Sequence, residues 1–142
     1  MNPASQSIMK SILVVEDSQL LAKIVGRSVR DLGLDVLYAP SMRDAAAILK
    51  THKDDIALSL ACLTLPDAPR GEIVDYLIEQ NVPVIVFSAE YRDEIRQQMM
   101  SKNVVDYIVK RSPYSIKLLR ETVRAYLENP KTGVLVVDDS SS

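Results

Sequence analysis

Short apolar runs recur along the chain, and each is followed by a more polar stretch. The runs are residues 12–15, 34–38, 56–63, 82–87 and 104–109. They are rich in β-branched side chains and are interrupted by one polar residue each at Asp35, Ser59 and Asp106. A continuous apolar run of this length is typical of a strand that is buried on both faces, as strands of parallel sheets are. The pattern therefore predicts a sheet of buried, parallel strands.

Amphipathic stretches separate these runs. Apolar side chains three and four positions apart predict helices within residues 20–32, 45–49, 73–78, 90–102 and 118–127. A strict alternation of strands and helices is typical of an α/β protein in which right-handed crossovers place helices on both faces of one sheet. We expect a doubly wound, five-stranded parallel sheet of (βα)5 order, with three layers, α/β/α.

The first apolar run has a near copy at the other end of the chain. Residues 12–18 are ILVVEDS, and residues 134–140 are VLVVDDS. The two copies are about one domain length apart, which indicates a tandem arrangement. We expect an N-terminal tail at 1–10, one complete domain at 11–128, a linker at 129–133, and the truncated start of a second domain of the same kind at 134–142.

Composition removes several classes of function. The chain has 142 residues, of which 47% are hydrophobic, and a net charge of −2 that gives no general attraction to nucleic acid or anionic membranes. No apolar run approaches the roughly 20 residues of a membrane span, and the N-terminus has no signal-peptide pattern. We expect a cytoplasmic protein with no membrane or nucleic-acid partner. Cys62 is the single cysteine, which excludes an internal disulfide.

Polar side chains stand where the predicted strands end. Glu16 and Asp17 follow the first strand, Cys62 lies at the end of the third, Ser88 follows the fourth and Lys110 follows the fifth. The carboxyl ends of parallel strands meet at one edge of the sheet, where ligands bind. Two carboxylates at this edge make half of a site for a hard cation, although Asp17 or Ser18 could instead simply cap the helix that follows.

Four short motifs, in chain order, resemble those of the response-regulator receiver domain of two-component signalling. They are EDS at 16–18, LPD at 65–67, FSA at 87–89 and DYIVK at 106–110, and the match extends over about residues 11–128. The resemblance implies a flavodoxin-like (CheY-like) fold. It also implies a conformational switch in which an aspartate takes a phosphoryl group from a histidine kinase.

The resemblance also implies roles for individual residues. By position in the motifs, Glu16 and Asp17 correspond to the acidic pair that holds Mg²⁺. Ser88 and Lys110 correspond to the groups that contact the phosphoryl oxygens, and Tyr107 corresponds to the switch aromatic.

The phospho-accepting aspartate is the part of the pattern that this chain lacks. In the family the loop proline follows the acceptor by four residues, and counting back from Pro66 gives Cys62. The loop glycine follows by eight residues, and counting back from Gly71 gives Leu63, so the loop carries one extra residue. Neither count gives a carboxylate.

Other acidic residues nearby are poor substitutes. Asp54 and Asp55 precede the third strand, at the wrong edge of the sheet, and Asp67 follows the loop proline. A thiol cannot form an acyl phosphate, and the loss of a third carboxylate removes a ligand and a charge from the metal site. We therefore expect no certain cofactor, with Mg²⁺ weak or absent, and a structural ion pair of Lys110 with Glu16 or Asp17.

The first hypothesis is a non-phosphorylatable receiver domain, itself not an enzyme, that acts as an interaction or dimerisation module beside a second receiver. Its partner would be a second copy or that second receiver, with a histidine kinase as a further candidate, and the full-length regulator would carry an output such as a diguanylate cyclase. The expected contact surface is helix four, strand five and helix five. Charges of both signs are expected on this surface, namely Arg92, Arg96, Asp106, Arg120 and Arg124.

The alternative keeps activity in this domain. It would be an active signalling receiver that uses a non-standard phospho-acceptor, or a redox sensor at Cys62. Lys110 would favour the thiolate of Cys62, whereas Glu16 and Asp17 would oppose it. A buried, inert small side chain is the more common state of a lone cysteine.

Overall fold

The computed structural model describes residues 10–129, which form a sheet of five parallel strands with helices on both faces. The strands are β1 (Ser11–Val15), β2 (Asp35–Ala39), β3 (Ile56–Ala61), β4 (Val84–Ser88) and β5 (Asp106–Val109). The helices are α1 (Gln19–Arg30), α2 (Met42–His52), α3 (Glu72–Glu79), α4 (Asp93–Met100) and α5 (Pro113–Glu128), with a 3₁₀ turn at Lys53–Asp55. The strand order is β2-β1-β3-β4-β5, and every neighbouring pair is parallel. The predicted fold class is confirmed.

Two apolar cores, one on each face of the sheet, hold the layers together. Successive residues of a strand point to opposite faces, so Leu13 and Val15 belong to one core and Ile12 and Val14 to the other. The first core is covered by α2, α3 and α4, and the second by α1 and α5. This division explains why β1, β3 and β4 are almost continuously apolar. The prediction of burial on both faces is wrong for β2, which lies at an edge of the sheet and exposes Asp35 and Tyr38.

Serine side chains begin three of the helices. Ser18 Oγ accepts the N–H of Leu21 at the start of α1, and Ser41 Oγ accepts the N–H of Asp44 at the start of α2. Ser112 begins α5 with a capping box and a proline at the first helical position. Each cap pairs an N–H that the first turn leaves without an intrahelical acceptor.

The helix expected over residues 90–102 is shorter than predicted. It begins at Asp93, because the Glu90 carboxylate accepts the N–H of Arg92 at 2.9 Å and holds this segment as a loop. The strand ends differ from the predicted ones by one or two residues, as strand boundaries commonly do.

Three of the expected segments lie largely or wholly outside the described residues. These are the N-terminal tail at 1–10, of which only Lys10 is described, the linker at 129–133, of which only Asn129 is described, and the second domain that we expect to start at 134. Within residues 10–129, none of the helices is long and apolar enough to cross a membrane.

Candidate functional site

The structure brings the predicted site residues together at the carboxyl edge of the sheet. Ligand atoms of Glu16, Asp17 and Cys62 all lie within 4.8 Å of one another. Asp17, Cys62, Ser88 and Lys110 line one cavity of about 570 Å³. Parallel strands that end at the same level account for this meeting of residues from four different strands.

Glu16 is held by two donors. Its Oε1 atom lies 2.8 Å from Lys110 Nζ, and its Oε2 atom accepts the N–H of Ser18 at 3.1 Å. The side chain is buried, with 8% of the residue exposed. Of the two carboxylates considered as partners of Lys110, the structure selects Glu16.

The Cys62 thiol is buried and neutral. Its Sγ atom lies 3.5 Å from the carbonyl oxygen of Thr64, to which it can donate. Burial, followed by the charge of Glu16, raises the pKa of this thiol to about 11, and the opposing effect of Lys110 is smaller. A thiol in this state is a poor nucleophile near neutral pH, which argues against the redox sensor.

Ser88 and Tyr107 are both joined to the loop after β4. Ser88 Oγ accepts the N–H of Glu90 at 3.1 Å, and the Tyr107 hydroxyl donates to the Glu90 carbonyl oxygen at 2.8 Å. Tyr107 is 4% exposed, and burial raises the pKa of its hydroxyl. The two groups lie where the motifs place them, and their roles in phosphate contact and switching stay predictions.

A further carboxylate, that of Glu90, lines the same cavity but is already engaged. Arg92 donates to it from Nε and from Nη2, each at 3.0 Å, and this pairing keeps the pKa of the Glu90 carboxyl below its usual value. Among residues 10–129, no third carboxylate joins Glu16 and Asp17 in their cluster.

Asp67, which follows the loop proline, has a different role that the sequence did not predict. Its two carboxylate oxygens accept the N–H groups of Met42 and Arg43 at 2.9 Å each, at the start of α2. These backbone donors hold the pKa of its carboxyl below the usual value. No local sequence pattern predicts a helix cap that is supplied by a residue 25 positions away along the chain. Asp54 and Asp55 lie in the 3₁₀ turn before β3, at the opposite edge, as predicted.

Ser115 is a second structural residue that the sequence did not reveal. Its buried hydroxyl donates to the carbonyl oxygen of Val109 at 2.8 Å and accepts the N–H of Arg111 at 2.9 Å. The residue after Lys110, where the resemblance would place a proline, therefore supplies an N–H that this loop uses.

Receiver domains typically bind Mg²⁺ at this acidic edge, and the donor set here fits that ion poorly. Mg²⁺ requires oxygen ligands in octahedral geometry. Glu16 is committed to Lys110 and the N–H of Ser18, and the third position offers a neutral sulfur from Cys62. Asp17 is the remaining exposed carboxylate.

The five-stranded α/β sheet and the residues at its carboxyl edge define a signalling receiver of the two-component class. The chain belongs to the response regulator receiver domain family, whose model matches residues 12–124. A receiver domain is not itself an enzyme.

Individual relatives agree with this assignment. TcrX of Mycobacterium tuberculosis, described as a probable transcriptional regulatory protein, is 28% identical over 133 residues, which cover 92% of this chain and 54% of TcrX. A solved structure described as a probable two-component system response regulator/GGDEF domain protein is 31% identical, with a TM-score of 0.72, over 83% of this chain and 48% of that one. The signal receiver domain of a LuxO repressor protein from Vibrio parahaemolyticus shares the fold, with a TM-score of 0.76 at 24% identity, over 92% of this chain and 99% of that one. The chain spans about half the length of the curated relatives it matches.

Proposed function

We propose that this receiver domain of a two-component response regulator has lost phosphoryl transfer and acts by binding protein partners. The observation that carries the proposal is the position of Cys62 Sγ, within 4.8 Å of ligand atoms of Glu16 and Asp17, where the resemblance places the acceptor carboxylate. Phosphoryl transfer depends on a charged, positioned nucleophile and on a metal ion that neutralises the phosphoryl oxygens. A neutral thiol supplies neither the nucleophile nor the ligand, so Mg²⁺ binding is weak or absent.

The ion pair of Glu16 with Lys110 supports the same conclusion. In the family pattern both residues serve the phosphoryl group and its metal. Here, beside an uncharged Cys62, their charges neutralise each other at 2.8 Å.

The direct test is intact-mass measurement after treatment with Mg²⁺ and acetyl phosphate. We expect the mass of the unaltered chain to stay the same. Cys62→Asp, which places a third carboxylate beside Glu16 and Asp17, is expected to gain one phosphoryl group, and the uncharged match Cys62→Asn is expected to gain none. A phosphoryl adduct on the unaltered chain would overturn the proposal in favour of a non-standard acceptor.

Receiver domains interact with kinases and with other domains, and the surface we favour here is formed by α4, β5 and α5. Tyr114 and Leu118 of α5 are 78% and 55% exposed, and with Val109 and Glu121 they line a groove of about 600 Å³. Exposed aromatic and aliphatic side chains of this kind are typical of a contact surface. We propose that a second receiver, either a copy or the next unit of the same chain, covers it.

One charge expected on this surface lies elsewhere. Arg120 Nε donates to the carbonyl oxygen of Ser28 at 3.2 Å, so this side chain points towards α1. Arg124 forms an ion pair with Glu121 at 2.9 Å on α5 itself. Light scattering tests the surface: if it mediates association, Leu118→Glu is expected to reduce the associated fraction, whereas Leu20→Glu, on exposed α1, is expected to leave it unchanged.

The architecture of the full-length regulator is a separate proposal. The repeated VLVVDDS string supports a second receiver that starts at residue 134, and the GGDEF-containing relative supports a diguanylate cyclase output. The reading frame beyond residue 142 tests both: a receiver with its own acceptor aspartate followed by a GGDEF domain is expected, and a different downstream sequence would contradict them.

A further inference from the structure

A groove of about 480 Å³ lies between α1 and β2, outside the acceptor cavity. Lys23, Arg27 and Arg30 of α1 line it together with Tyr38 of β2. The three cations are four and three residues apart, so they project from one face of the helix. None of the ion pairs found within residues 10–129 includes any of them.

This concentration of positive charge has a cost for the helix. The sequence of α1, QLLAKIVGRSVR, contains no acidic residue, and like charges at these spacings destabilise a helix. The helix dipole compensates Arg27 and Arg30, which lie in the last turn, but it does not compensate Lys23 in the middle. Helix stability therefore leaves the full set of three cations unexplained.

An aromatic ring is fixed beside these cations. Arg30 Nη2 donates to the Tyr38 hydroxyl at 3.2 Å, and its guanidinium carbon lies 5.9 Å from the centre of the ring. The hydroxyl packs so closely on Gly26 that a Cβ atom at that position would clash with it. The absence of a side chain on Gly26 thus lets the ring lie against α1, where 38% of Tyr38 remains exposed to the groove and solvent.

We propose that this groove binds a nucleotide, with its phosphates on Lys23 and Arg27 and its base against Tyr38. The volume lies within the range of small-molecule sites, which is about 300–1,000 Å³. Guanidinium and ammonium groups are the usual phosphate partners, and an aromatic ring stacks on any nucleobase. An acidic protein segment would match the charges, but its carboxylates would leave the Tyr38 ring in the groove without a stacking partner.

The site is independent of the proposed loss of phosphoryl transfer. Glu16 also lines the groove, but its carboxylate is already paired with Lys110. The three cations and the ring come from α1 and β2, which contribute none of the side chains that line the acceptor cavity.

Calorimetric titration with GDP and with ADP tests the proposal. Saturable binding of at least one of them is expected, with guanosine or adenosine and inorganic pyrophosphate each binding more weakly. Arg27→Gln is expected to weaken nucleotide binding about tenfold or more, the factor for one lost charge-assisted hydrogen bond. The matched variant Arg43→Gln changes an exposed arginine of α2 outside the groove and is expected to bind like the unaltered chain.

Two substitutions of Tyr38 test the aromatic part. Tyr38→Phe keeps the ring and is expected to retain binding, whereas Tyr38→Leu is expected to lose about tenfold in affinity, the value of one stacking contact. Absence of saturable binding to both nucleotides, equal binding of pyrophosphate, or no effect of Arg27→Gln would each overturn the proposal. Tighter binding of hexaglutamate than of either nucleotide would also overturn it, because the groove would then be assigned to an acidic protein segment.

Discussion

Lys110 Nζ lies 2.8 Å from Glu16 Oε1, which joins the end of β5 to the end of β1 although β3 and β4 lie between these strands. The pair therefore links the edge strand β5, across β3 and β4, to β1 at the end of the sheet where the resemblance places a phosphoryl group. Cys62 lies next to this link as an uncharged side chain. Of the two carboxylates at this edge, Glu16 is paired within the chain and Asp17 remains exposed.

Removal of the cation should destabilise the protein strongly. Lys110→Met leaves the Glu16 carboxylate, in a residue that is 8% exposed, without its partner, and we expect the free energy of unfolding to fall by about 3 kcal/mol. Urea denaturation at neutral pH measures the change. Arg124→Gln, which breaks the exposed pair with Glu121, is expected to cost about 0.5 kcal/mol or less. Equal losses in the two variants would contradict the structural role of the Lys110 pair.

The reactivity of Cys62 should be low and strongly dependent on pH. With a pKa of about 11, only about one thiol in a thousand is ionised at pH 8, and burial slows the reaction further. We expect alkylation by iodoacetamide to be far slower in the folded protein than in urea, and to accelerate with each step in pH towards 11. Alkylation of the folded protein at the rate of free cysteine at pH 7.5 would contradict this expectation and support the hypothesis of a redox sensor at Cys62.

Asp67 should stabilise the protein only while its carboxyl is ionised. Because the N–H groups of Met42 and Arg43 lower the pKa of the folded-state carboxyl below its usual value, the stabilisation is fully present well above that usual value and is lost as the pH falls through the folded value. We expect Asp67→Asn to be less stable than the unaltered chain at pH 7, and the difference to shrink in strong acid. Thermal unfolding of both proteins, measured at intervals from pH 7 to pH 2, tests whether this difference in stability shrinks.

A comparison variant makes this test specific. Asp54→Asn changes an exposed carboxylate that accepts no backbone N–H in the structure of residues 10–129. We expect its stability to follow that of the unaltered chain. A constant difference between Asp67→Asn and the unaltered chain at every pH would contradict the cap.

Ser115 should matter for the loop that carries Lys110. Ser115→Ala removes the acceptor of the Arg111 N–H and the donor to the Val109 carbonyl oxygen, in a buried position, so we expect a loss of about 2 kcal/mol. Ser101→Ala removes a hydroxyl bonded at the surface of the molecule and is expected to cost about 0.5 kcal/mol or less. Urea denaturation compares the two, and a similar small loss in both would show that the buried hydroxyl is dispensable.

The parts of this fold that the sequence predicted are those governed by nearest neighbours along the chain. A strand buried on both faces is largely apolar, so most strands were visible as runs, and their ends located Glu16, Asp17 and Lys110. Ser18, which caps α1, could be named as a candidate because a cap acts within three residues.

The parts that the sequence did not predict depend on contacts between distant segments. Asp67 caps a helix that precedes it by a whole strand, and Ser115 fixes a loop from within the following helix. Arg120 points to α1 because of how α5 packs, which no periodicity reveals. Helix α4 starts late because the Glu90 carboxylate accepts the N–H of Arg92, and the sequence does not show that this carboxylate bonds Arg92 and not water.

The bonds from Asp67 to α2 have a mechanical consequence. The segment after β3 is anchored at the first turn of a helix that leads away from the outermost strand, β2. If a partner displaced this segment, two N–H groups of α2 would lose their acceptor at once. A disturbance at the centre of the sheet would therefore spread sideways to its margin, without any change in covalent chemistry.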